Sequence, residues 1–306
     1  MRFSKIPEEK HSSFQSEGIT LTLFNFQLRA FADIMPFNDH EEPFLHWFGL
    51  TDGWYWLQMN ENDEFFRYST DLLAHWEKNY PEDPTLLPYA DYYVVRLWED
   101  ILELLPLILE PLPPKLAHML ETVEQVSRWH ECIKQWEKAL GIEDKGEEEE
   151  DEEMWETYLQ ATMWWHERLL DTGYLTASPH LWFWNDGHSI HGFWDNSQLC
   201  IENIPAWDAQ RGQSQLIYAQ FLDEVASFHT RLFSAMEERI QEAKRSWTRP
   251  DVALDLDKLE QEQQVRSQWL AQALERAASR TATDWNAVGD AMRTMDRLSG
   301  LLSKEK

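Results

Sequence analysis

The stretch LWFWNDGHSIHGFW, residues 181–194, restricts the fold more than any other segment. Two runs of large apolar residues flank Asp186-Gly187, a dipeptide suited to a tight turn, so the segment reads as a β-hairpin. A two-residue turn pairs Asn185 with His188, Trp184 with Ser189, Phe183 with Ile190 and Trp182 with His191. Directly paired residues share a face. One face then carries Leu181, Phe183 and Ile190, and the other Trp182, Trp184 and His191. An antiparallel sheet with one wet face alternates apolar with polar residues, and this hairpin does not. Either helices cover both faces or one face is a docking surface. The abundance of long helical patterns favours cover.

A second aromatic block lies upstream, at LHWFGLTDGWYWLQMNENDEFFRYS, residues 45–69. Asp52-Gly53 reads as a turn, and WYWLQM and EFFRYS flank the polar NEND as a hairpin. A turn centred on Glu61-Asn62 pairs Leu57 with Phe66 and Tyr55 with Tyr68, a plain core face. The opposite face pairs Trp54 with Ser69 and Trp56 with Arg67, the latter a natural cation–π contact. Before it, ITLTLFNFQLRAF (19–31) reads as a strand whose apolar phase slips by one residue. That slip implies a β-bulge or burial on both faces. The candidate binding residues are Trp54, Trp56, Arg67, Trp182, Trp184 and His191.

Between and after the hairpins the periodicity is helical. STDLLAHWEKNY has Ser69 or Thr70 as its cap. DYYVVRLWEDILELL aligns Val94, Leu97, Trp98, Ile101 and Leu105, with Arg96 and Asp100 an i,i+4 pair on the opposite side and Pro106 ending or kinking the helix. Further helices are expected over 116–140, over 154–170 with Gly173 as a C-cap, and over 216–244. The run GIEDKGEEEEDEE (141–153) reads as an acidic low-complexity loop. Residues 251–306 are Ala/Gln-rich, with Trp285, Val288, Met292, Met295 and Leu298 on one stripe. Strands on either side of a helical middle, without βαβ alternation, predict an α+β fold with an antiparallel sheet of five or six strands from both hairpins. Two parts are expected: an acidic Trp-rich domain over 1–245 and a helical C-terminal extension over 246–306.

Charge is as uneven as aromatic content. The chain of 306 residues has a net charge of −28 and 17 tryptophans. Residues 246–306 hold nine Lys/Arg against ten Asp/Glu, so residues 1–245 carry 27 of the 28 negative charges. Such a surface repels nucleic-acid phosphates and anionic lipid and attracts a basic partner. The N-terminus lacks a signal-peptide apolar region, and ILELLPLILEPL is too short and too interrupted to span a bilayer. A cytoplasmic location is expected.

Motifs for chemistry are scarce. Cys132 and Cys200 suggest neither a disulfide framework nor a zinc site. His188 and His191, three apart on a strand, point to opposite faces. His166-Glu167 lacks the second histidine of a zincin helix, and no Walker loop, dinucleotide fingerprint or nucleophile elbow occurs. No cofactor or metal is implied.

Several segments together resemble DUF5984, a bacterial family of unknown function: LFNFQLRAF, LHWFGLTDGWYWL with FRYS, DYYVVRLWEDILELLPLILEPLP, LTASPHLWFW and FLDEVASFHTRLFSAMEERI. The resemblance covers roughly residues 20–240 and implies one coherent domain without an activity to transfer. Three functions stay open. Acidic charge, aromatic density and absent catalytic motifs favour a non-enzymatic protein-binding module, such as an inhibitor or immunity-type partner of a toxin. The others are a sensor or enzyme whose pocket is walled by Trp54, Trp56, Trp182 and Trp184, with Arg67 and His191 as polar groups, and a scaffold self-associating through its C-terminal helices.

Overall fold

A computed structural model of the chain describes residues 22–37, 43–61, 63–80, 87–141, 152–247 and 251–300. The acidic run expected as a loop lies almost wholly outside the described residues. The strands β1 (Phe24–Leu28), β2 (Phe44–Leu45), β3 (Asp52–Gln58) and β4 (Glu64–Phe65) precede α1 (Thr70–Asn79) and β5 (Ala90–Tyr93). β3 is central: β1 pairs with one of its edges, β4 and β5 with the other, all antiparallel. β1 pairs regularly over its whole length, so the bulge, one of the two readings of its phase slip, is absent. Asp52 and Gly53 lie inside β3 and make no turn. The glycine is needed there because a Cβ would collide with the Gln27 carbonyl and approach Leu28 Cα to 2.8 Å.

The first hairpin is shorter than expected. Leu57 faces Phe65 and Gln58 faces Glu64. Phe66 then takes a left-handed backbone, φ 72°, and ends the pairing. Arg67 bridges to Tyr89 instead of Trp56. Helix α1 begins as expected, with Ser69 Oγ accepting from Leu72 N at 3.1 Å.

The central hairpin belongs to a separate sheet, so the strands divide between sheets where one had been expected. β6 (Leu181–Asn185) and β7 (Ser189–Asp195) pair, after which β8 (Cys200–Ile201) and β9 (Ile204–Pro205) form a small ribbon. β10 (Arg211–Ile217) completes a three-stranded antiparallel sheet in the order β10-β7-β6. Trp184 faces His191 and Trp182 faces Phe193, two residues out from the expected register. The connection is longer because Asp186 Oδ1 accepts from both His188 N and Ser189 N at 2.8 Å, with Gly187 at φ 97°. An even shift preserves face membership. Trp182, Trp184 and His191 therefore still share a face, joined by Phe193.

Helices enclose this second sheet. After α2 (Val94–Ile108) come α3 (Pro114–His118), α4 (Val123–Leu140) and α5 (Glu152–His166). α6 (Tyr218–Ser246) follows β10, β11 (Ala253–Leu254) pairs parallel with β2, and α7 (Leu256–Arg266), α8 (Trp269–Ser279) and α9 (Trp285–Leu298) end the described chain. The helix expected over 116–140 is broken by a fresh N-cap, Thr122 Oγ1 accepting from Gln125 N at 3.3 Å. The one expected over 154–170 ends at His166; Gly173 instead donates its N–H to Asp171 Oδ1. The helix expected from 216 starts at Tyr218, because the preceding residues extend the second sheet. Pro106 lies inside α2, which continues to Ile108.

Two apolar cores result. Leu181, Phe183, Ile190 and Trp194 face the first, with α2, α6 and the inner face of the first sheet. Trp182, Trp184 and Phe193 face the second, with Trp129, Trp136 and Trp165 of α4 and α5. Helical cover thus applies to both faces of the second sheet. Leu259 and Ala273 join the first core, and Val288, Ala291 and Met295 the second. The fold is α+β. Among the described residues no helix is long and apolar enough to cross a membrane.

Candidate functional site

A cavity of about 550 Å³ opens where α4, α5 and the edge of the second sheet meet. Its walls include His130, Trp165, His166, His180, Trp182 and Arg211. The helical spacing of Ser127, His130, Lys134 and Glu137 brings all four to it from one side of α4. The indole of Trp182 stacks on Trp165, centroids 5.6 Å apart and planes 6° from parallel. His130 and His180 sit 4.7 Å and 5.7 Å from the same Trp182 ring, both tilted. The site is therefore walled by indole and imidazole, a surface suited to flat π-systems.

One hydrogen bond sets its polarity. Trp165 Nε1 meets His130 Nε2 at 3.0 Å. An indole can only donate, so Nε2 accepts and a neutral His130 carries its proton on Nδ1. Burial pushes the His130 pKa down to about 4, and burial lowers that of His166 also. Arg211 pairs with Asp195 at 3.3 Å and reaches Ser127 Oγ. Glu137 accepts from Tyr158 Oη at 2.7 Å. The cavity thus offers donors from His130 and Lys134, with its other charges largely engaged.

The six residues singled out from the sequence divide between the two sheets, and Trp182 is the one that lines this cavity. Trp184 and His191 are buried behind it, stacked 5.2 Å apart, with His191 Nε2 2.8 Å from Asp186 Oδ2. That contact braces the hairpin loop. Trp54 lies under the Arg29 guanidinium, 4.4 Å from the ring centroid, and Arg29 pairs with Asp52 and Asp91. Trp56 stacks on Tyr89 at 4.1 Å, and Arg67 lies 5.8 Å from the Tyr89 centroid. The expected Trp56–Arg67 contact is therefore relayed through Tyr89, because β4 ends before Arg67 can pair with β3. Asn25, Gln27 and Asp91 flank the two tryptophans, so this face is partly wet.

Among the described residues no group of three or more His, Cys, Asp or Glu is placed to hold a metal ion. Comparison with curated proteins and with solved structures gave no match. A family model, described as a family of unknown function (DUF5984), matches residues 23–291. The chain belongs to DUF5984.

The DUF5984 match runs past the segments that first suggested it, through α7 and α8 and into α9. The cavity of this DUF5984 chain rests on His130, His180 and Trp165, none of which stood out in the sequence. Ser127, His130, Lys134 and Glu137 recur at helical spacing in VSRWHECIKQWEKAL, beside the apolar stripe Val126, Trp129, Ile133 and Trp136. A polar stripe bordering an aromatic one was the available signal, but its counterpart lies about fifty residues away on the second sheet.

Proposed function

We propose that this protein binds a small planar ligand in the cavity between α4, α5 and the second sheet. The observation that carries the reading is the fixed arrangement of Trp165, His130 and Trp182 around a space of about 550 Å³. Ligand cavities commonly span about 300–1,000 Å³ and pair apolar walls with a few placed polar groups. A flat ring stacks along Trp182 and presents an acceptor to His130 Nδ1–H. Titration calorimetry against a panel of neutral heteroaromatic compounds tests this. Binding that is lost in Trp182→Leu while the melting temperature stays within a few degrees supports it. If no planar compound binds at millimolar concentration, the reading fails.

A second reading, engagement of a basic protein, has its own support on the first sheet. Trp56, Tyr89 and Arg67 form a partly exposed ladder of the residue types that dominate binding hot spots, on a chain of net charge −28. Such a surface would suit a chain acting as the inhibitor or immunity-type partner of a basic toxin. Stoichiometric capture of one basic protein at low salt by the native chain, and not by Trp56→Ala, tests it. Capture unaffected by Trp56→Ala would remove the argument for this face.

A further inference from the structure

Two cavities meet along α2, and they differ in character. One, of about 470 Å³, is lined by Asp100, Glu103, Glu167 and Asp171 together with Leu104 and Leu107. The other, of about 350 Å³, is lined mainly by Leu109, Pro111, Leu222, Leu274, Ala277 and Ala282. Pro106 and Arg280 belong to both, so the cavities abut.

The acidic cavity has a built floor. The Asp100 side chain is fully buried, yet it lines the cavity. Its Oδ2 accepts from Tyr174 Oη at 3.0 Å, and Tyr174 in turn accepts from Tyr55 Oη at 3.3 Å. Oδ1 receives no hydrogen bond from the described residues. Arg96 lies 3.0 Å from it as an ion pair without hydrogen-bonding alignment, and shares its charge with Asp171, also at 3.0 Å. Burial pushes the Asp100 carboxyl up to about 7 against the pull of Arg96 and Tyr174. At the rim, Glu103 and Glu167 pair with no cation among the described residues. Arg280, which lines both cavities, is held by Glu110 at 2.6 Å, a carboxylate it shares with the buried Arg168 at 3.5 Å. These carboxylates are too spread to chelate a metal ion, which leaves an organic cation as the complementary charge.

We propose that these joined cavities form a binding site for an amphipathic organic cation, its ammonium head above Asp100 and its apolar tail along Leu274 and Leu222. The acidic cavity supplies charge selection and the apolar one supplies chain-length selection. Neither alone discriminates an alkylamine from both a simple amine and a fatty acid.

Titration calorimetry on the full chain with n-octylamine, ethylamine and octanoate, all below aggregation, provides the test. Octylamine is expected to bind at least tenfold more tightly than either of the others. Asp100→Asn should lower octylamine affinity at least tenfold. Leu274 is 39% exposed, so Leu274→Gln leaves the fold intact and separates the two contributions. It should weaken octylamine severalfold and leave ethylamine unchanged. Octanoate binding as well as octylamine, or octylamine binding indifferent to Leu274→Gln, would overturn the proposal even if Asp100→Asn does not fold.

Discussion

Trp165 Nε1 donates to His130 Nε2 at 3.0 Å, so one indole decides which imidazole nitrogen of His130 can meet a ligand. Protonation would place a hydrogen on Nε2 and break that contact. Burial holds the folded-state pKa near 4, whereas an unfolded histidine titrates near 6.5. Between those values the unfolded chain binds more protons, so stability falls as pH drops from about 6.5 toward 4. The loss is at most about 1.4 kcal/mol per pH unit for this group. Urea melts at pH 7 and pH 5 should show a shallower acid slope in His130→Gln than in the native chain. An unchanged slope would mean that His130 titrates normally. His46, His166 and His229, lowered by burial too, contribute with the same sign, whereas Asp100, raised by burial, contributes with the opposite one.

Asp100 works in the opposite direction. Its folded pKa is raised to about 7 from an ordinary 3.8, chiefly by burial. Arg96 and Glu103 face it from its own helix, Asp171 and Tyr174 from the segment after α5. The folded chain then holds the extra proton between about pH 4 and 7, and stability from this group falls as pH rises through that window. Asp100→Asn should remove that fall, so its stability relative to the native chain improves between pH 5 and pH 8. A variant whose deficit is the same at both values would count against a raised pKa.

Tyr174→Phe tests the same chain from its middle. It removes the donor to Asp100 Oδ2 and the acceptor for Tyr55 Oη, both in a buried setting. Loss of a buried partner costs about 1–3 kcal/mol. The double variant with Asp100→Asn should lose less than the two singles added together. Simple additivity in urea denaturation would show that the three groups do not act as one network.

Face membership was legible where register was not, and the two hairpins show why. Side-chain alternation assigns Trp182, Trp184 and His191 to one face whatever even offset the loop adopts. The offset itself depends on Asp186 capping two backbone N–H groups, which a turn dipeptide does not announce. In the first hairpin the offset is odd, and Phe66 at positive φ ends the strand before Arg67. The second sheet is completed by β10, RGQSQLI, whose last two residues the sequence assigns to the following helix. Asp100 was expected on the solvent side of α2 and is buried, because residues 171–174 pack over a side of the helix that periodicity alone leaves open. The α+β class and the Ser69 cap needed only local pattern; the cavity needed α4 and β6 together.

Three glycines make different demands, and substitution separates them. Gly53 faces the β1 backbone, so Gly53→Ala must push two paired strands apart. Gly212 lies against the buried Trp194 indole, and Gly212→Ala must displace a ring with no free space around it. Each is expected to cost about 1–3 kcal/mol or more through overpacking. Gly187 has nothing near its Cβ position and is held only by φ 97°. Gly187→Ala should cost about 1 kcal/mol of backbone strain. Thermal melts that rank Gly187→Ala as the most damaging of the three would contradict this packing.

Arg29 ties the partly wet face of the first sheet together, and its chemistry predicts that lysine will not replace it. The guanidinium meets both Asp91 oxygens at 2.6 Å and Asp52 at 3.0 Å, while its plane covers Trp54. Trp54 is only 5% exposed although it lies on the solvent side of the sheet, so the arginine is its cover. A lysine keeps the charge but has no planar fork for two carboxylates and no flat surface for the indole. Arg29→Lys should therefore behave more like Arg29→Ala than like the native chain, each losing about 1–2 kcal/mol. Trp54 should also become accessible to acrylamide quenching in both variants, which Trp54→Phe controls would assign. If Arg29→Lys matches the native chain in both measurements, charge alone holds this face, and the stacking and forked pairing contribute nothing measurable.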